Sequence, residues 1–246
     1  MPPPSVLTAY LRYPNPKHTL TLLTTLLSSP SPWLTQTLLK AQIEDNPKSP
    51  ILFLSLIHER GFHTDGLRKL GVPLQHLDRS GKFTFLGIED LPLMVGAVSE
   101  VVMGAMREIC TGGDRDGDGD GRGGLLVVLE GLDILLQTGA GFARVMDMVV
   151  CVMEMAERTI VSVNIDEALM RDEEHAAFVI GLGHVARRVF GLRGLETGVA
   201  RDVSGVLRIT AGGTGEGDID GGKEVLYFVG DGGGVEVFER GEVRGG

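Results

Sequence analysis

Residues 125–133, Leu-Leu-Val-Val-Leu-Glu-Gly-Leu-Asp, form an apolar run that ends in two carboxylates. A strand that is apolar throughout must be covered on both faces, which is the situation of parallel sheets flanked by helices. The rest of the chain supplies the matching pattern. Residues 18–23, 50–57, 82–86 and 159–163 read as further strands, and residues 33–43, 64–70, 95–110 and 173–182 as helices. Another helix follows residue 133, with Phe142, Val145, Met146, Val149, Val152 and Met153 on one face. Strands alternating with helices imply a mostly parallel central sheet with helices on both faces. From His184 the pattern changes to extended segments joined by turns. Residues 199–201 and 206–210 are expected to form a hairpin around Asp202-Val203-Ser204-Gly205, and residues 225–229 and 235–239 another around Asp231-Gly232-Gly233-Gly234. The fold class is therefore α/β with C-terminal antiparallel hairpins.

At 246 residues the chain can bury a full core as one domain. Residues 1–17, rich in proline, read as an N-terminal tail, which leaves 18–246 as a single domain. Residues 111–124 hold 7 glycines and 4 aspartates and cannot bury enough apolar surface to order themselves, so they read as a flexible insertion. Cys110 and Cys151, both in apolar surroundings, are expected to be reduced core thiols of an intracellular protein. Prolines stand where a signal peptide would carry its charged and apolar regions, and no apolar run approaches the length of a membrane span. A soluble protein of the cytosol is expected.

Charge is divided unevenly. Residues 1–110 hold 10 Lys/Arg and 9 Asp/Glu, whereas residues 111–246 hold 13 and 24. A half so acidic excludes a general nucleic-acid binder. One segment runs against the trend, because Arg187, Arg188, Arg193, Arg201 and Arg208 face only Glu196 and Asp202. Its ordinary reading is a solvated strand edge blunted with charge.

An apolar strand ending in acids is the type that carries a Mg²⁺-linked carboxylate in ATPases with a parallel sheet. Such a site also needs G-x-x-x-x-G-K-[ST], since backbone N–H groups and one lysine must neutralise the phosphates. Gly81-Lys82 has His76 where the first glycine belongs and is followed by Phe83. Residues 217–224 keep the glycine spacing, but put Glu224 in the metal-binding hydroxyl position and set Asp218 and Asp220 against the anion. They also lead into a strand rather than into the helix whose N-terminus would hold the phosphate. After the first strand stands Ser28-Ser29-Pro30-Ser31-Pro32, where prolines remove the N–H donors a phosphate loop supplies.

Other motifs fail in the same way. Asp114-x-Asp116-x-Asp118-Gly119 opens like a calcium loop, but Leu125 stands where the bidentate glutamate is required. His58 and His63 resemble a zinc-protease pair, yet lie five residues apart, about 140° around a helix, where they would not chelate one ion. Gly181-Leu182-Gly183-His184-Val185-Ala186 matches G-x-G-x-x-A in the wrong context, after a helix and before a strand. No catalytic, cofactor or metal residue is assigned from these patterns.

The segments in order resemble the Elongator complex protein 6 family, non-catalytic members of the RecA-like ATPase fold. The most specific match is residues 191–209, Gly-Leu-Arg-Gly-Leu-Glu-Thr-Gly-Val-Ala-Arg-Asp-Val-Ser-Gly-Val-Leu-Arg-Ile. There the family has a similar G-L-x-T-G-x-x-R-D-V-x-G-x-L-R-I run. The likeness extends to residues 180–184, 125–136 and 19–23, and departs at the insertion. The resemblance implies a RecA-like fold and a heterohexameric ring with Elongator complex proteins 4 and 5. It implies that the ring binds tRNA and assists the remaining Elongator subunits in wobble-uridine tRNA modification, in the cytoplasm with the nucleus as a second location. The chain would be a structural subunit without a functional phosphate loop or cofactor, and not itself an enzyme, ATPase activity arising only in the assembled ring. Arg187, Arg188, Arg193, Arg201 and Arg208 would be its tRNA-contacting candidates. Two alternatives stand beside this reading: a degenerate but active NTPase, and a generic protein-interaction domain.

Overall fold

The computed structural model describes residues 7–11, 17–91, 95–111, 124–195, 202–215, 219, 221–230 and 234–239. In chain order the elements are α1 (Thr8–Leu11), β1 (Thr19–Thr25), α2 (Pro32–Asp45), β2 (Ile51–Ser55), α3 (Arg60–Lys69), α4 (Leu74–Arg79) and β3 (Phe83–Gly87). They continue with α5 (Val95–Thr111), β4 (Leu126–Glu130), α6 (Ile134–Gln137), α7 (Phe142–Met155), β5 (Arg158–Asn164), α8 (Glu167–Met170) and α9 (Glu173–Val185). The last four are strands: β6 (Arg188–Arg193), β7 (Gly205–Ala211), β8 (Lys223–Val229) and β9 (Val235–Phe238).

All nine strands join one sheet in the order β3-β2-β4-β5-β1-β6-β7-β8-β9. The first six in that order are parallel, and β7, β8 and β9 add antiparallel. Right-handed crossovers explain which face each helix covers. Connections that step from β1 towards β3 carry α2, α3 and α4, whose Leu34, Leu39, Leu67 and Leu74 are buried with Phe53, Val128 and Ile160 of the sheet. Connections that step back carry α5, α7 and α9, whose Val98, Val102, Val149, Val152, Phe178 and Leu182 cover Leu52, Val127, Leu129 and Val161. Strands β2 and β4 are buried at every position, as their unbroken apolar sequences require. Adjacent strands β1 and β5 send their following helices to opposite faces, so a crevice opens between their carboxyl ends.

Several expectations need correction. Residues 7–11 lie in the segment read as a tail, yet Leu7 and Leu11 are buried in the core and the Tyr10 carbonyl accepts a hydrogen bond from Arg188. Leu7 and Leu11 are four apart, so one turn of helix presents both to the sheet. Cys110 and Cys151 are free but exposed, because they fall on the outward stripes of α5 and α7. Phe142 likewise stands at the rim of α7 rather than inside, and Met148 takes the core position. Helix α9 runs to Val185 and so contains the Gly-Leu-Gly-His sequence. The partners of β7 are β6 and β8. Residues 199–201, expected to pair with it, lie outside the described residues, and Gly205, expected in the turn, begins the strand. The β8–β9 hairpin is present as expected. Of the insertion only Thr111 and Gly124 are described. No described helix is long and apolar enough to cross a membrane.

Candidate functional site

A cavity of about 220 Å³ lies at the carboxyl edge of the sheet, between the turn after β1, the loop after β2, and the ends of β4 and β5. Its geometry starts from register. Ser55 and Glu130 are paired across β2 and β4, and Glu130 in turn faces Ser162 of β5, so all three side chains emerge on the α2–α3 face. Glu130 is almost wholly buried and a lone carboxylate there would be strongly disfavoured. It is instead surrounded by donors: Ser55 Oγ donates to Oε2 at 2.6 Å, His63 Nε2 lies 3.0 Å from that oxygen and His58 Nδ1 3.2 Å from it. Burial pushes the Glu130 carboxyl up, but the hydrogen bonds from His58 and His63, the positive field of His63 and the Ser55 hydroxyl outweigh it and hold the group at about 2.

Ser55 also accepts the His58 backbone N–H at 2.9 Å, a local turn that ends β2 and aims the His58 ring back at the sheet. His58 therefore precedes α3, which begins at Arg60, and the 140° separation that a shared helix would impose does not apply. The two imidazoles meet at one carboxylate oxygen, so the exclusion based on helical spacing is overturned. Aromatic rings fix both planes: Phe62 stacks on His58 with centroids 4.2 Å apart, and Phe53 lies 4.4 Å from His63. Beyond Glu130 the chain turns through Gly131 at φ 75°, a left-handed conformation that favours glycine, and an added Cβ would meet Ile57 Cγ1 at 2.4 Å unless that side chain shifted. The turn brings Asp133 to the cavity, where burial raises its carboxyl above the usual range. Sequence reading had singled out Glu130, Asp133, His58 and His63 separately. Ser55 carried no motif, and only the sheet register reveals it.

The turn after β1 offers few free backbone donors. Leu27 donates its backbone N–H to Asp166 Oδ2 at 2.8 Å, and Ser29 donates to the Leu26 carbonyl at 2.8 Å. Pro30 and Pro32 have no N–H, and Pro32 opens α2 directly. Two of the amides that would cradle an anion are thus already used, and two do not exist.

The arginine segment does not form one surface. Arg188 is buried, its Nη1 donating to the Tyr10 carbonyl at 2.7 Å. Arg193 points to the opposite face of the sheet, where it meets Glu224 at 3.3 Å. Arg208 is exposed on β7 beside Glu224, Arg187 is half-buried, and Arg201 lies outside the described residues. Of the near-match to a phosphate loop at residues 217–224, Lys223 and Glu224 begin strand β8, and Lys223 pairs with Glu239. The calcium-like residues 114–119 lie outside the described residues.

No family model matches the sequence, and no curated protein does. Among solved structures, a KaiC-like protein from the hyperthermophilic archaeon Pyrococcus horikoshii OT3 matches with a TM-score of 0.57. The match covers 91% of this chain and 90% of that one at 13% identity. The fold is RecA-like. At this identity the likeness extends to the fold alone.

Proposed function

We propose that the chain is a non-catalytic RecA-like subunit of the Elongator accessory ring, standing beside Elongator complex proteins 4 and 5 and supporting wobble-uridine modification of tRNA. The observation that carries the non-catalytic part is the turn after β1, with its two prolines and its Leu27 amide given to Asp166. A second supports it: the Glu130 carboxylate, which in a hydrolase would serve a metal-bound nucleotide, is engaged by Ser55, His58 and His63. The run at residues 191–209 supports the family, and the RecA-like fold agrees with it. Exposed Leu27, Ile57 and Phe62 at the carboxyl edge are suited to contact with a neighbouring subunit. Within the arginine segment, tRNA contact by the described residues falls to Arg208 and Arg187, because Arg188 is committed to the core and Arg193 pairs with Glu224.

Co-purification with candidate partner subunits, read by native mass, tests the proposal. A complex with three copies of each of three subunits counts against it; two copies of each, with salt-dependent tRNA affinity, is the expected result. A chain that stays monomeric with these partners refutes the ring assignment, and a ring with no tRNA affinity leaves an interaction domain.

A further inference from the structure

We propose that His58, His63 and Glu130 form a binding site for one transition-metal ion of the zinc class, with its remaining coordination position opening into the cavity at the carboxyl edge. This goes beyond the ring-subunit reading and does not rest on it.

The three side chains come from separate segments, the loop after β2, the first turn of α3 and the end of β4. One donor atom from each lies within 4.8 Å of the other two. The two contacts to Glu130 Oε2, at 3.0 and 3.2 Å, are close to the spacing of about 3.3 Å between ligands on a tetrahedral ion with bonds of about 2.0 to 2.1 Å. Two of the three edges around an ion are therefore already of the right length, and the third, between the two imidazoles, lies within the 4.8 Å that spans the group. Two imidazoles and a carboxylate suit zinc and its neighbours, whereas calcium and magnesium require mainly oxygen.

The polar groups left over point the same way. Oε2 of Glu130 has three neighbours while Oε1, equally buried, has no hydrogen-bond partner. Asp133 Oδ1, on the wall of the same cavity, is also buried without one. Each buried polar atom without a partner costs desolvation without return, and both of these lie beside the three candidate ligands. A cation held by one Glu130 oxygen brings positive charge to the carboxylate, and a water on its open position gives Asp133 Oδ1 a donor. Part of the supporting shell is in place as well. Ser55 orients the carboxylate, and Phe62 and Phe53 pack against the two rings, while His63 Nδ1 is buried without an acceptor. A cavity of about 220 Å³ has room for water on the open side.

The test uses the untagged full chain with Cys110→Ser and Cys151→Ser, which removes the exposed thiols as competing ligands. After chelator treatment it is titrated with Zn²⁺, and separately with Co²⁺ as a spectroscopic probe. The expected result is one equivalent bound, a Co²⁺ visible spectrum of tetrahedral intensity, and a Tm that rises with added Zn²⁺. His58→Ala should weaken Zn²⁺ binding at least about tenfold and abolish the rise of Tm with added Zn²⁺, measured against the variant's own metal-free Tm. Glu130→Gln should do the same to the affinity. Absence of stoichiometric binding, or an affinity in either variant equal to that of the parent, overturns the proposal. So does a weak octahedral Co²⁺ spectrum, which marks adventitious surface coordination.

Discussion

Arg188→Ala should destabilise the fold rather than weaken RNA binding, although the sequence places this arginine in a basic segment. Only 3% of its surface is exposed, and Nη1 donates at 2.7 Å to the Tyr10 carbonyl, tying α1 to the sheet. Truncation removes a charged hydrogen bond of the class that contributes about 1.5 to 3 kcal/mol and leaves that carbonyl without this donor. It also removes a large, almost fully buried side chain, which raises the expected loss to about 2 to 4 kcal/mol. For a domain of this size each kcal/mol corresponds to about 2–4 °C, so Tm should fall by roughly 5–15 °C. Urea denaturation of parent and variant measures the free-energy change directly, with Arg208→Ala as the control. Arg208 is exposed, and its replacement should stay within about 0.5 kcal/mol. If Arg188→Ala changes stability no more than Arg208→Ala does, residues 7–11 are not anchored as described and the reasoning fails.

Gly131→Ala should cost more than Gly71→Ala, by about 1 kcal/mol or more in a thermal melt. Both glycines have positive φ, but only Gly131 has Ile57 in the way of a Cβ, so equal costs would contradict the site geometry. Both cysteines should react with a thiol reagent in the native protein at rates near those of the unfolded chain, and protection of either would place it back in the core. Replacing residues 112–123 by a short Gly/Ser linker should leave Tm almost unchanged, because loop closure varies only logarithmically with length, and a large drop would show that the segment is docked.

The sheet was readable because its strands are apolar on both faces. Residues 126–130 could be nothing but a central strand, and the alternation of elements dictated the parallel order. Beyond β6 the period is two, and there the antiparallel character was legible while the partner of β7 was not. Pairing is a long-range choice that the local turn Asp202–Gly205 does not determine. Cys110 and Cys151 sit among apolar neighbours in sequence, yet helical rotation turns them outward by a fraction of a turn. For the site, Glu130 was visible as an acid closing a buried strand, and His58 and His63 as a near-motif. Their convergence was missed because both histidines were placed on one helix, although a helix starting near residue 64 already left His58 outside it. Ser55, which sets the His58 turn and orients Glu130, emerges only from the register between β2 and β4.

On the proposed function, this RecA-like frame carries the buried Glu130 at a strand end but does not hold phosphate at the turn after β1. Titration of the chelator-treated, isolated chain with ATP in excess Mg²⁺, followed by calorimetry, addresses it most directly. With Pro30 and Pro32 in the turn after β1 and the Leu27 amide given to Asp166, no saturable binding should appear up to millimolar nucleotide. Saturable one-site binding in the submillimolar range, lost on Asp133→Asn, would contradict the account.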